Sequence, residues 1–258
     1  MYCARGAIKF LKSHMHTQEY RHMFENEGEH FYYQANHEII LSLIRRYVRK
    51  TKPTILDAGC GTGYFVQLLG KIGTSAGFDI SDDALAYAKK KGANVIKGSI
   101  SKIPYASNMF DVVTSVDVIN HLRVKNPQKA FSELYRVLKP GGILVLRVSA
   151  NPNIHLSHDA RVHLDHRWSA EEVRDGAVGS GLKICVLTHI NMLLLPAAYI
   201  LQAMERFAEK RHEKSSVDRV PTIVNAILTK LLTLEKYLIP HVRLPFGLGI
   251  LLVAQKPD

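Results

Sequence analysis

Three glycines at alternate positions, Gly59, Gly61 and Gly63, follow an apolar run that ends on an acid in the stretch ILDAGCGTGYF. Glycines in such a turn let backbone N–H groups come close to a ligand, and a helix starting there favours negative charge. Asp79, in GFDIS, stands 20 positions beyond Gly59. A carboxylate at the end of a second strand accepts hydrogen bonds from ribose hydroxyls. The pattern points to an adenosine-bearing ligand. NAD and S-adenosylmethionine both fit, and the flanking residues separate them. The spacing is GxGxG, not the GxGxxG of the dinucleotide fingerprint. Asp57 also precedes the glycines. A carboxylate there sits poorly beside a pyrophosphate and well beside the ammonium of an amino-acid moiety.

A second set of reactive side chains is histidine-rich. His121 follows an apolar strand-like run, and NPNIHLSHDARVHLDHRW carries His158, Asp159, His163 and His166. His121, His163 and His166 are the candidate catalytic residues, each able to take a proton from a substrate, with Asp159 as an orienting partner. Structural hydrogen bonding is the alternative. A two-His-one-carboxylate metal site ranks last, so no metal is expected. Trp168 reads as a packing anchor.

These residues must be held by elements that the sequence also outlines. Residues 35–50 show helical apolar spacing with Arg and Lys in the last turn, and Pro53 breaks the helix. Beyond it, TILDA, TSAGFDI, NVIKGSI, FDVVTSVDVI and ILVLRVSA read as five strands apolar on both faces. Helices fall between them: YFVQLLGKIG, SDDALAYAKKKG with Ser81 as N-cap and Gly92 as stop, and a third around 128–138 ended by a KPGG turn. Alternating strand and helix with doubly apolar strands means a parallel sheet covered on both sides. SAEEVRDGAVGSG is a further helix, LKICVLTHI a sixth strand and GILLVAQK a seventh. The expected organisation is a helical cap at 1–50, a core at 51–190, a helical lid or insertion at 191–246 and a final core strand at 247–258.

Composition limits the partners. The chain of 258 residues carries a formal net charge of +11, spread along its length. Nucleic-acid binders more often concentrate such charge in an arm or stripe, so no nucleic acid is expected. Three cysteines without a CxxC pair suit a reducing cytoplasm, and the first twenty residues show no signal peptide. The uncharged run from Ile184 to Met204 is long enough to span a bilayer. Its Thr, His, Asn, Pro and Gln residues favour a buried strand followed by a helix.

The segments ILDAGCGTG, FDIS, FDVVTSVDVINHL and ELYRVLKPGGILVL resemble successive motifs of the class I S-adenosylmethionine-dependent methyltransferases, type 11 group. EHFYYQANHEII, the histidine loop and LPFGLGILLVAQKP further resemble a bacterial subset whose substrates are largely unassigned. The resemblance implies an α/β, Rossmann-like seven-stranded sheet, mostly parallel with an antiparallel last strand. Strands six and seven are then neighbours, with a helical insertion between them in place of a short hairpin. It implies S-adenosylmethionine as cofactor, with Gly59, Cys60, Gly61 and Gly63 in the methionine-binding loop, Asp57 at the amino-acid end and Asp79 on the ribose. Ile80 would pack on adenine, Ser99 and Ile100 would flank it, and Asp117 and Val118 would lie near the methyl donor. Ser99 replaces the common Asp, and Asn120 the common Glu before His121.

Base-methylating enzymes usually carry an Asn/Asp-Pro-Pro-aromatic motif where this chain reads DVIN. The expectation is methyl transfer to oxygen of a small-molecule or lipid-linked acceptor. A non-catalytic cofactor-binding module, an NAD-linked oxidoreductase and a nucleic-acid methyltransferase are the alternatives. In the insertion, MLLLPAAYILQAMERF offers an apolar helix with Pro196 in its first turn. VPTIVNAILTKLLTLEKYL aligns Val224, Ile227, Leu228, Leu231, Leu234 and Leu238 on one stripe. Added core is one reading of the pair. A lid closing with Phe31–Tyr33 over the acceptor is the other, resting peripherally on anionic headgroups through Lys210, Arg211 and Lys214.

Overall fold

The structure is a computed structural model that describes residues 17–121, 124–151, 153–154, 166–207 and 220–258. The elements run α1 (Thr17–Asn26), α2 (Phe31–Tyr47), β1 (Thr54–Ala58), α3 (Tyr64–Gly70), β2 (Thr74–Asp79), α4 (Asp82–Lys90), β3 (Val95–Lys97), β4 (Phe110–Val116), α5 (Pro127–Val137) and β5 (Leu138–Ser149). Then come α6 (Ala170–Gly179), β6 (Lys183–Ile190), a 3-10 turn (Met192–Leu194), α7 (Leu195–Phe207), α8 (Thr222–Thr233), α9 (Glu235–Leu238) and β7 (Gly249–Gln255). The strands form one sheet ordered β3-β2-β1-β4-β5-β7-β6. All neighbours are parallel except β7, which runs antiparallel to both β5 and β6. The chain reverses its direction of winding between β1 and β4, and in open α/β sheets ligands bind at the carboxyl ends of the strands at that point.

Local sequence explains the helix ends. The Ser81 hydroxyl accepts from the Ala84 N–H at 3.3 Å, Asp82 and Asp83 occupy the first turn of α4, and Gly92 leaves it with φ +73°. Ser169 and Glu172 form a reciprocal capping box on α6. Both sheet faces are covered. Ile39, Ile40, Leu43 and Ile44 of α2 pack on Ile55, Val112 and Val145. Phe131 and Leu134 of α5 pack with Trp168 on Leu144 and Leu252 of the opposite face. Trp168 meets Phe131 edge-on at 6.3 Å between ring centroids, as a packing anchor does. Each such fully buried side chain contributes about 1.5–3 kcal/mol.

Three local features differ from the sequence reading. First, α2 begins at Phe31, four residues early, because the His30 side chain caps it by accepting from the Tyr32 N–H at 3.3 Å. Second, KPGG lies inside β5: Phe110 pairs with Leu138 and Val112 with Ile143, so the extra residues bulge out while the strand continues. Third, the apolar stripe of α8 faces solvent. Val224, Ile227, Leu231, Leu234 and Leu238 are exposed, and the polar side of the helix packs on α2. Asn225 Oδ1 accepts from the Phe31 N–H at 2.8 Å, and its amide donates to the Glu29 carbonyl at 2.8 Å. The Thr229 hydroxyl donates to Gln34 Oε1 at 3.4 Å, and Leu232 completes the contact as a fully buried residue.

Candidate functional site

The glycine loop joins β1 to α3 at the winding reversal. The N–H groups of Gly59 and Cys60 both donate to the Phe78 carbonyl at 2.9 Å, and the Gly61 N–H donates to Asp79 Oδ2 at 2.9 Å. These amides are therefore turned onto protein acceptors and not presented as an anion cradle. Gly59 has φ +86°, and a Cβ there would lie 2.9 Å from Val118 Cγ1, so the loop abuts the end of β4. Gly63 has φ +81°, and its Cβ would meet the Ala88 Cβ of α4 at 2.7 Å, which makes this third glycine a packing requirement. Cys60 is buried, and burial pushes its thiol well above the usual range, so it is a packing residue and no thiolate.

Carboxylates crowd this loop. Asp57 is buried and accepts from the Thr114 hydroxyl of β4 at 2.7 Å. Burial, against that bond, pushes its carboxyl up to about 7, with Asp79 and Glu27 adding to the rise. Asp79 is also raised by burial, opposed by the Ser81 and Gly61 N–H groups and by nearby His121. Glu27, between α1 and α2, accepts from the Thr62 hydroxyl and pairs with Lys91 Nζ. Burial lifts its carboxyl as well, with Lys91 and Thr62 acting against the lift. Neither Glu27 nor Thr62 stood out in the sequence. Thr62 is the one hydroxyl inside the loop, and that was the available signal.

Ile80, beside Asp79, is an exposed large apolar side chain. Ser99 is half-buried, and its hydroxyl accepts from the Ser101 N–H at 3.3 Å. Ile100 is buried in the cluster with Phe78 and Ile103. At the end of β4, Asp117 takes φ +56° and pairs with Arg147. The Ser149 hydroxyl donates to Asp117 Oδ1 at 3.2 Å, and Arg147 also donates to the Tyr32 hydroxyl. The buried cation Arg147 was missed by sequence reading, although an arginine in the apolar run ILVLRVS was a visible anomaly. Aromatic groups from α2 reach the loop helix: His37 stacks on Phe65 at 4.5 Å, and burial lowers its imidazole to about 3, which keeps it neutral.

The histidine candidates are placed separately. His121 sits in the turn after β4, its N–H donating to the Val118 carbonyl at 3.3 Å, close enough to Asp79 to influence it. His166 pairs with Glu172 Oε1 at 2.9 Å and meets Trp168 edge-on at 5.2 Å. Its N–H reaches the Asn120 carbonyl at 3.4 Å, tying it to the same turn. Asn120 is buried, with no hydrogen-bond partner for its Oδ1. His158, Asp159 and His163 lie outside the described residues, as do Lys210, Arg211 and Lys214. No metal-binding group of three or more His, Cys, Asp or Glu occurs among the described residues.

Comparison with known proteins matches the middle of the chain to one family. Residues 56–146 match the methyltransferase domain of the type 11 group. This core resembles the class I S-adenosylmethionine-dependent methyltransferase domains. The chain is 37% identical over 97 residues to a tRNA (carboxymethyluridine(34)-5-O)-methyltransferase of Arabidopsis thaliana, covering 37% of this chain and 24% of that protein. It is 32% identical over 117 residues to a malonyl-[acyl-carrier protein] O-methyltransferase of Pectobacterium atrosepticum, covering 43% and 44%. A complex between a Haloferax volcanii methyltransferase activator and a methyltransferase shares the fold with TM-score 0.59 and 20% identity over 94% of each chain. The chain spans between 24% and 31% of the length of the first curated relatives that it matches. Four relatives are named for tRNA or probable tRNA methylation, which weighs against the sequence-based exclusion of nucleic acid.

A Haemonchus contortus phosphoethanolamine N-methyltransferase in complex with S-adenosyl-L-methionine also shares the fold, with TM-score 0.55 and 20% identity over 85% of this chain and 52% of that one. The matched segment includes the glycine loop, Asp79, Ser99, Asp117, Val118 and His121. It leaves out α1, α2, Arg147, His166 and the helices between β6 and β7.

Proposed function

We propose that the protein transfers a methyl group from S-adenosylmethionine to an oxygen of a small-molecule or lipid-linked acceptor, meeting the inner face of a membrane peripherally. The observation that carries this reading is the set of three carboxylates, buried Glu27 and Asp57 and half-buried Asp79, around one glycine loop. Carboxylates accept hydrogen bonds and favour cations. They suit the ammonium and ribose hydroxyls of S-adenosylmethionine and disfavour a pyrophosphate. Asp57 takes the ammonium end, Asp79 the ribose and the exposed Ile80 the adenine ring, with Ser99 and Ile100 along its edge.

When bound, the cofactor supplies a methyl group already activated on a sulfonium. Alignment and proximity then do most of the work. The acceptor oxygen forms a bond to the methyl carbon as the carbon–sulfur bond breaks, and its proton leaves to a base. His121, in the turn beside Asp79, is the foremost candidate for that base, with His163 and His166 next. Asp117 and Val118 border the reacting side. The names of the two curated relatives above, both transferring methyl to oxygen, support the choice of atom.

Acting on tRNA is the second reading, favoured by the first curated relatives. Their likeness covers mainly the cofactor core, which every acceptor class shares. The exposed apolar helices after β6 suit a lipid better than a polyanion. Titration with S-adenosylmethionine and with NAD, followed by turnover of labelled cofactor on lipid extract and on bulk tRNA, tests the proposal. Methylated lipid is the expected product. Tight NAD binding, labelled tRNA alone, or cofactor binding without turnover on any fraction would each replace this reading with a rival.

A further inference from the structure

Fourteen of the eighteen exposed large apolar side chains among the described residues fall between positions 193 and 246. The concentration has a structural cause. On α8 the polar residues Asn225 and Thr229 are spent holding the helix to α2, which leaves the aliphatic stripe outermost. Ile227 is 59% exposed and Leu234 53%. The same inversion occurs on α7, where Gln202 is buried and donates to the Asn153 carbonyl at 3.2 Å, while Ile200 and Met204 are 61% and 63% exposed. A helix normally turns its apolar face to the core. Both helices of the insertion thus turn apolar side chains outward, and exposed apolar surface of this extent needs a cover.

The charge on this surface is one-sided. Over residues 220–246 the cations are Lys230, Lys236 and Arg243, and the single acid, Glu235, is buried. The Glu235 carboxylate accepts from the Asn191 and Met192 N–H groups at 2.6 and 2.9 Å and so clamps the start of the insertion. Beside the stripe, Arg46, Lys236, Tyr237 and His241 line a cleft of about 260 Å³ between α2 and α9. Glu38 lies near, 3.5 Å from Lys236 Nζ, and is the carboxylate partly offsetting that charge.

We infer that this outward face, α8 and α9 with the exposed side of α7, is the surface by which the protein docks on a bilayer containing anionic phospholipid. Aliphatic side chains enter the acyl boundary, Tyr199 and Tyr237 sit at headgroup level, and the cations meet lipid phosphates. A second copy of the chain is a poorer cover, because a two-fold interface through this face brings Lys230, Lys236 and Arg243 toward their own images. No helix among the described residues is long and apolar enough to cross a membrane, so the contact is with the surface. The inference rests on the membrane part of the proposed function and is independent of the methyl acceptor.

Flotation with phosphatidylglycerol/phosphatidylcholine vesicles at low salt tests it. The wild type is expected to float, with binding at least tenfold weaker on pure phosphatidylcholine and weaker again in 0.5 M salt, beyond the reach of surface charge attraction. The triple variant Ile223→Ser, Ile227→Ser, Leu234→Ser is expected to lose at least tenfold in bound fraction while keeping its thermal midpoint, because these side chains are more than half exposed. Wild-type protein that stays in the aqueous layer overturns the inference, and so does equal flotation of the triple variant. A wild-type dimer by light scattering that the variant dissociates also overturns it, in favour of self-association. S-adenosylmethionine titration of both proteins reads the cofactor site separately, so a wild type that binds cofactor but does not float overturns the docking face alone, and a variant that binds cofactor but no longer floats assigns the loss to the face.

Discussion

Asp79 Oδ2 receives the Gly61 N–H at 2.9 Å, while its Oδ1 receives the Ser81 N–H at 2.9 Å. One carboxylate thus ties the glycine loop to the end of β2 and faces the site expected to hold ribose. Replacing Asp79 by Ala removes the loop's tether and the proposed ribose acceptor together. The expected loss of S-adenosylmethionine affinity is about 2–4 kcal/mol, the scale of charge-assisted hydrogen bonds. Calorimetry that finds unchanged affinity removes Asp79 from the site.

With Asp57 at the cofactor's ammonium, as proposed, affinity is expected to depend on pH. Its folded-state carboxyl is raised to about 7 from an ordinary value of 3.8, chiefly by burial. The sign follows by linkage: stability from this group is fully present below about pH 4 and is lost as pH rises toward 7 in the unliganded protein. A cationic ligand prefers the ionised form, so S-adenosylmethionine affinity should rise from pH 6 to pH 8. Asp57→Asn should flatten the affinity profile and remove this part of the stability loss. A wild-type profile that is already flat assigns the cofactor's ammonium to another group.

Gly59 and Gly61 should respond differently to alanine. At Gly59 both the φ of +86° and the crowding by Val118 oppose a side chain. Gly59→Ala is expected to destabilise by about 2–4 kcal/mol, combining backbone strain with overpacking. At Gly61, with φ +51°, the nearest atom is Met23 Sδ at 3.5 Å, so only the backbone cost of about 1 kcal/mol remains. Thermal unfolding of the two variants that shows equal losses would refute this ordering.

Arg147 is almost fully buried and pairs with Asp117, whose side chain is 32% exposed. Arg147→Ala leaves the Asp117 carboxylate without its cation. Discounted for that exposure, the expected cost is about 2–4 kcal/mol. Tyr32→Phe removes a single neutral partner and should cost about 1 kcal/mol. Denaturant titrations of the two variants compare these costs directly.

Among the histidines, His121→Ala should lower turnover by on the order of 100-fold or more while sparing cofactor affinity, as loss of a general base does. His166→Ala should act less, because His166 is engaged with Glu172. His163→Ala completes the set, and activity that survives all three changes removes general-base catalysis. Activity that persists in a strong chelator agrees with a reaction that needs no metal.

What the sequence determined by itself is whatever depends on near neighbours. The strand–glycine–helix turn, the Ser81 cap, the Gly92 stop and the seven strands all follow from patterns a few residues long. The carboxylates Asp57 and Asp79 were legible for the same reason: each ends a strand whose position the motif marks. Tertiary structure alone decided the rest. Glu27 meets Thr62 across 35 positions and Arg147 meets Tyr32 across 115, contacts that no local pattern carries. Periodicity placed Ile227, Leu231 and Leu234 on one stripe, but it cannot say which way a stripe points. Here Asn225 found backbone partners at Glu29 and Phe31, and those hydrogen bonds turned the polar side of the helix inward. Apolar burial is non-directional, whereas a hydrogen bond has a fixed partner and angle, so the polar contacts set the orientation and left the aliphatic face to the solvent.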